Sequence, residues 1–137
     1  MHIIVCLDDN NGMAFNNRRQ SMDRVVREKI LSLCKGDRLY MSGYSFAQFT
    51  EVAENIIVDE NFLSAAGKDD FCFVETCTFS PDTAERLYVF KWNRVYPSDL
   101  KLSFDIEKSG FALLESTDFE GFSHEKITLE IYERESI

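Results

Sequence analysis

The chain has 137 residues, enough for one domain with a core of its own. Its formal net charge is -9 and its pI is near 4.7, which argues against nonspecific binding to nucleic acid or to an anionic membrane, since both need positive charge. Twelve Phe against two Pro and six Gly argue against disorder.

In chain order, "HIIVCL" (residues 2 to 7) reads as a short buried strand. Residues 8 to 21 read as a polar loop with four Asn and two adjacent Arg. Ser21 then caps a helix with Asp23 in its first turn, where negative charge is favoured. Met22, Val26, Ile30 and Leu33 recur at spacings of three to four, and Gly36 marks the stop. "RLYMSG" reads as the second strand, "YSFAQF" as a short helix, "NIIVD" as the third strand, and Asn61 to Ala66 as a helical turn or two. "DFCFVET" is the fourth strand. Ser80-Pro81 opens a short helix reaching Glu85, and "RLYVFKW" is a strong fifth strand. "GFALLES" and "KITLEIYERE" close the chain as an antiparallel pair. Strands alternate with helices for about 90 residues and then run alone. That order predicts one α/β domain over residues 1–137, with a mixed, mostly parallel sheet, short flanking helices and a C-terminal antiparallel hairpin.

Cys6, Cys34, Cys72 and Cys77 are scattered and form no CxxC, and three of them sit in apolar surroundings where Cys reads as a small buried hydrophobe. With only His2 and His124 to add, no metal site is expected. The start "MHIIVCLDDN" has no basic n-region or cleavage site, and no apolar run has the length of a membrane span. With free thiols, this makes a cytoplasmic location the expectation.

The order of elements resembles dihydrofolate reductase. That family also opens with a strand, an Asn/Gly-containing loop, and a helix carrying one catalytic carboxylate. It ends with a strand of "LYLTHI" type, a polar connection, and two antiparallel strands closing on "EILERR"-like residues. The counterparts here are "LYVFKW", "NRVYPSDLKLSFDIEKS" and "ITLEIYERE". The spacing from "NNG" to Asp23 is within about one residue of the family's spacing to its acid, so the resemblance implies a catalytic or ligand-anchoring role for Asp23.

The departures are informative. The family's Gly-Arg-x-Thr turn, which helps to bind the cofactor phosphates, corresponds without a gap to Ser42-Gly43-Tyr44-Ser45, which keeps a hydroxyl at Ser45 but has no arginine. The family's Gly-Gly pair corresponds to "VETCTF", where Glu75 repels phosphate and no glycine allows close approach. The nucleotide-binding half is also shortened. The resemblance therefore implies that no cofactor is used and that NADPH is not bound in the family's manner.

Residues 18 to 29 hold five cations and two acids, a local excess of +3 in an acidic chain. Arg18 and Arg19 form an anion site in outline at a helix N-terminus, with Asn11, Asn17 and Ser45 as further ligand contacts. The competing reading pairs the arginines with Asp8 and Asp9 and makes the asparagines turn formers. Asp23 is expected to face a pocket floor between the first strand and "YSFAQF", leaving its conversion to Asn with little effect on stability. A double change of Arg18 and Arg19 to Ala is expected to cost no more than about 0.5 kcal/mol.

Three functional readings follow. The first is a small-molecule binder, for a pteridine- or nucleotide-like ligand, without hydride transfer. The second is a small active reductase of the same class, and the third an interaction protein with a vestigial pocket. The expected partner is a small molecule, not nucleic acid or membrane, and self-association is left open.

Overall fold

The computed structural model describes residues 1–135. The elements are β1 (His2–Leu7), β2 (Gly12–Phe15), β3 (Arg18–Arg19), α1 (Arg24–Leu33), β4 (Leu39–Met41), α2 (Gly43–Phe46), β5 (Ile56–Val58), α3 (Phe62–Ala65), β6 (Phe71–Phe73), β7 (Arg86–Lys91), β8 (Leu100–Lys101), β9 (Phe111–Phe119) and β10 (Ile127–Arg134). The main sheet has the order β5-β4-β6-β1-β7-β10-β9. Pairing from β5 to β7 is parallel, and β10 pairs antiparallel with both β7 and β9. The expected mixed sheet with a closing hairpin is therefore the observed one.

Period-two alternation in β1 explains how one strand serves two cores. Ile3, Val5 and Leu7 point into a cluster with Cys72, Val74, Leu87, Val89, Phe111 and Tyr132. Ile4 points the other way, into a cluster with Val26, Ile30, Leu39, Met41, Phe73, Phe90 and Trp92. Both faces of the central strands are covered, so they read as continuous apolar runs. Helix α1 covers the second cluster with Val26 and Ile30, one turn apart.

Two expectations need correction. Residues 8 to 21 are not a plain loop: β2 and β3 form a hairpin, and β8 joins β2 in a separate three-stranded sheet. Asn16 and Asn17 make its two-residue turn, with φ of 51° and 59° between paired Phe15 and Arg18. Two left-handed residues are what the twist of a tight hairpin requires, and Asn tolerates them. The helix cap is also Asp23, not Ser21, with α1 beginning at Arg24, and Met22 is exposed instead of joining the buried face. The Asp23 side chain accepts the Val25 N–H at 2.8 Å, a stronger cap than an uncharged hydroxyl can make. Ser80 does cap the expected turn, which is a single 3-10 turn at Pro81–Thr83.

Phe90 is fully buried at the centre of β7 and meets Phe119 edge to face, with ring centroids 6.3 Å apart. Phe90→Ala is expected to cost about 3–5 kcal/mol, read as a lower urea midpoint with an unchanged slope.

Candidate functional site

Three acidic side chains are buried beside the carboxyl ends of the parallel strands, the edge where open α/β sheets bind ligands. The first, Asp8, follows β1 and is fully buried. Its carboxylate accepts the N–H groups of Asn10, Gly12 and Tyr96 at 2.9, 2.7 and 3.0 Å, and the Gln20 amide at 3.1 Å. Burial raises its pKa, but these four donors outweigh burial and hold it below the usual value. Gly12 is required here, because a Cβ would lie 2.6 Å from Gln20 Nε2 and 2.9 Å from Asp8 Oδ1. Asp8 thus ties the β1–β2 turn to the connection after β7.

The second, Glu75, lies just beyond β6. It takes a two-pronged ion pair from Arg19, Nε at 2.9 Å and Nη2 at 3.2 Å. It also accepts the Ser45 hydroxyl at 2.8 Å and the Gln48 amide at 3.0 Å. The Arg19 guanidinium lies over the Tyr44 ring, 4.2 Å from its centroid, and donates to the Tyr44 carbonyl. This arrangement corrects the expectation that losing Arg19 together with Arg18 costs little stability. It is not paired with Asp8 or Asp9 either, but with an acid 56 residues away in sequence. Ser45 belongs to the same cluster.

The third, Asp23, is saturated. Besides Val25, its oxygens accept the N–H groups of Phe122 and Ser123, both at 2.9 Å, the Ser123 hydroxyl at 3.2 Å, and His124 Nδ1 at 2.8 Å. Burial alone would raise its pKa, but these donors prevail and hold it far below the ordinary carboxylate range. Gly121 allows the approach, since a Cβ there would lie 2.7 Å from Asp23 Oδ2. On its far side, His124 Nε2 meets Ser21 Oγ at 3.0 Å and the Tyr96 hydroxyl at 3.3 Å, and the ring stacks on Trp92. Asp23 therefore faces the β9–β10 connection, not the floor of an open pocket. The positive end of α1, expected to attract a ligand anion, holds the chain's own carboxylate.

A cleft of about 550 Å³ opens beside these centres, lined by Phe15, Arg18, Arg19, Gln20, Tyr96 and Pro97, with Asn16 at its rim. Arg18 makes no ion pair among the described residues. Gln20 spends its amide N–H groups on Asp8 and the Pro97 carbonyl, and its buried Oε1 has no partner among the described residues. The other cations of the basic segment are engaged: Arg27 with Glu51, Arg24 with Glu28 and the Phe122 ring, and Lys29 over the Phe119 ring. Of the candidate residues, Arg18 and Arg19 share the cleft. Asn17 is a turn former, and Asn11, with φ of 59°, forms the turn after β1 and borders a different hollow near Leu7 and Phe104. A hollow of about 520 Å³ near Leu31, Lys35 and Val52 lies at the amino end of β4, remote from the three carboxylates.

A solved structure of dihydrofolate reductase from Enterococcus faecalis, complexed with NADP(H) and RAB-propyl, superposes on 98% of this chain and 96% of its own, with a TM-score of 0.66 and 10% identity. The fold is that of dihydrofolate reductase. No family model matches the sequence, and no curated protein does. At this identity the likeness establishes the dihydrofolate reductase fold alone. Within that fold, sequence reasoning missed His124, Gln20 and Tyr96. His124 is one of two histidines, but its partner Asp23 is 101 residues away, and no local pattern links them.

The Asp23 geometry reverses the expected effect of changing it. Asp23→Ala is expected to cost about 3 kcal/mol at pH 7, because four donors beyond the helix cap lose a charged acceptor. The pH dependence has a definite sign. A carboxylate whose folded pKa is depressed contributes stability that is complete above about pH 5 and lost as pH falls below its unfolded value. Urea unfolding between pH 7 and pH 3 is expected to show a smaller acid loss for the variant than for wild type.

Arg18 and Arg19 are expected to separate in the same assay. Arg18→Ala stays within about 0.5 kcal/mol, as for an exposed position. Arg19→Ala leaves Glu75 buried and without its cation, and is expected to cost about 3–5 kcal/mol.

Proposed function

We propose that the chain binds a small anionic ligand, pteridine- or nucleotide-like, in the cleft beside β3, and that it does not carry out NADPH-dependent hydride transfer. The observation that carries this reading is the unengaged Arg18 guanidinium in a cleft that Arg19, Gln20, Phe15 and Tyr96 also line. Arginine can hold a carboxylate or phosphate in a two-pronged contact. Phe15 and Tyr96 add aromatic wall for a flat ring.

The residues present do not fit the family's dinucleotide. The donors that would meet phosphate are spent on the chain's own acids: Ser45, Gln48 and Arg19 on Glu75, and the Gly43 N–H on Glu60 at 2.8 Å. Two carboxylates beside the phosphate turn disfavour a polyphosphate by direct repulsion. Glu75 also stands where the sequence resemblance puts the family's glycine pair. Asp23 has its oxygens committed to five donor residues or groups within the chain, which leaves proton transfer to a bound substrate without an open acceptor.

Fluorescence titration with pterin-6-carboxylate, a nucleoside monophosphate and NADPH tests this directly. One of the two small anions is expected to bind saturably, and Arg18→Ala to weaken it about tenfold or more. NADPH is expected to show no saturable binding. Micromolar NADPH binding, or NADPH oxidation with an added pterin, would establish the reductase reading instead. Failure of both anions, with no small molecule released from native protein on mass spectrometry, would leave a vestigial cleft.

A further inference from the structure

His124 does more than complete the Asp23 cluster. Its Nδ1 lies 2.8 Å from Asp23 Oδ2, so in the neutral ring the proton sits on Nδ1 and Nε2 carries the lone pair. Ser21 Oγ is 3.0 Å from that Nε2. The result is a hydroxyl, an imidazole and a carboxylate in line, the carboxylate fixed in turn by the N–H groups of Val25, Phe122 and Ser123. We propose that Ser21 is a nucleophile, activated by His124 and positioned by Asp23, that accepts an acyl group from an activated carboxylic ester.

Burial separates the three in the way this chemistry requires. The Asp23 and His124 side chains are 0% and 5% exposed, while Ser21 is only half-buried. Trp92 stacks on the imidazole with centroids 4.7 Å apart, fixing the ring plane. The polar groups against the ring are Asp23 at the start of α1, Ser123 in the histidine's own loop, and Ser21 and Tyr96 at Nε2. The Tyr96 hydroxyl, at 3.3 Å, is the more distant of the two. Ser21 lies in the short connection from β3 to α1. The backbone N–H groups of Ser21 and Met22 make no hydrogen bond among the described residues and are the unengaged donors nearest in sequence to the hydroxyl. The recurrence of this arrangement on unrelated folds makes geometry, not fold or chain order, its criterion.

The step balances without a cofactor. Ser21 Oγ bonds to the ester carbonyl carbon as its proton passes to His124 Nε2. The tetrahedral adduct then expels the alcohol or phenol, which takes that proton from His124. Water, deprotonated by the same nitrogen, cleaves the acyl-Ser21 bond and releases the carboxylic acid. The inference stands apart from the ligand proposed for the cleft and needs neither Arg18 nor that ligand.

The test is covalent labelling of the full chain with a fluorophosphonate, which forms an oxygen–phosphorus bond and expels fluoride, followed by peptide mapping. Hydrolysis of p-nitrophenyl acetate is measured in parallel. One adduct per chain is expected, on Ser21. Ser21→Ala, checked as folded by circular dichroism, is expected to lose the adduct and to slow ester hydrolysis about a hundredfold. His124→Gln is expected to slow labelling of the intact Ser21 by a similar factor. Absence of an adduct on wild type, an adduct on another residue, or unchanged hydrolysis in Ser21→Ala would each overturn the proposal. Mapping on wild type decides the matter even if a variant fails to fold.

Discussion

A carboxylate taken out of water must be met by donors, and the carboxyl edge of this sheet is organised around that demand. Asp8, Asp23 and Glu75 are buried there, and each gathers donors from segments far apart in sequence. Asp8 joins the end of β1 to the connection after β7. Glu75 joins the end of β6 to β3 and α2. Asp23 joins the start of α1 to the β9–β10 connection. Removing any one acid would leave several buried or half-buried donors facing nothing.

The same demand shapes the side of the sheet around α2 and the end of β6. A phosphate site needs N–H groups and cations that are free and a backbone that can be approached closely. Here the candidates answer to internal acids instead. Glu75 occupies Arg19, Ser45 and Gln48, and Glu60 occupies the Gly43 N–H. An internal carboxylate has an advantage over a ligand in this role: it is tethered, so holding it costs no translational entropy. Once such pairs form, these donors are engaged within the chain.

Much of the fold was legible because its signals are local. Apolar runs at β1 and β7, the spacing of Val26 and Ile30, and the Ser80-Pro81 cap each mark an element within a few residues. The β2–β3 hairpin was hidden because its strands are short and its turn is Asn16-Asn17, without a glycine to announce it. Strand β8, two residues long, has no periodicity at all. The site was harder to read for a different reason. Arg18, Arg19 and Asp23 stood out by charge, but their roles depend on partners at Glu75 and His124, which only the folded chain brings near. Ser45 was singled out for the hydroxyl it keeps, yet that hydroxyl serves Glu75.

Charge accounting separates what remains once these pairs are made. The segment from Arg18 to Lys29 is the positive island of an acidic chain, but most of its cations are spent. Arg19 and Arg27 hold half-buried or buried acids, while Arg24 and Lys29 lie over aromatic rings. Among the described residues of this island, Arg18 is the guanidinium left without an acid. A few residues on, the Ser21 hydroxyl meets an imidazole whose other nitrogen is already committed to Asp23. Structural pairs account for the rest of the segment and do not account for these two. A guanidinium in a cleft without an acid, and a hydroxyl on the nitrogen of an imidazole held by Asp23, are unspent chemical capacity. They lie three residues apart, Arg18 in β3 and Ser21 on the connection from β3 to α1. The buried acids Glu75 and Asp23 thus also fix the two ends of this segment, through Arg19 and through the start of α1.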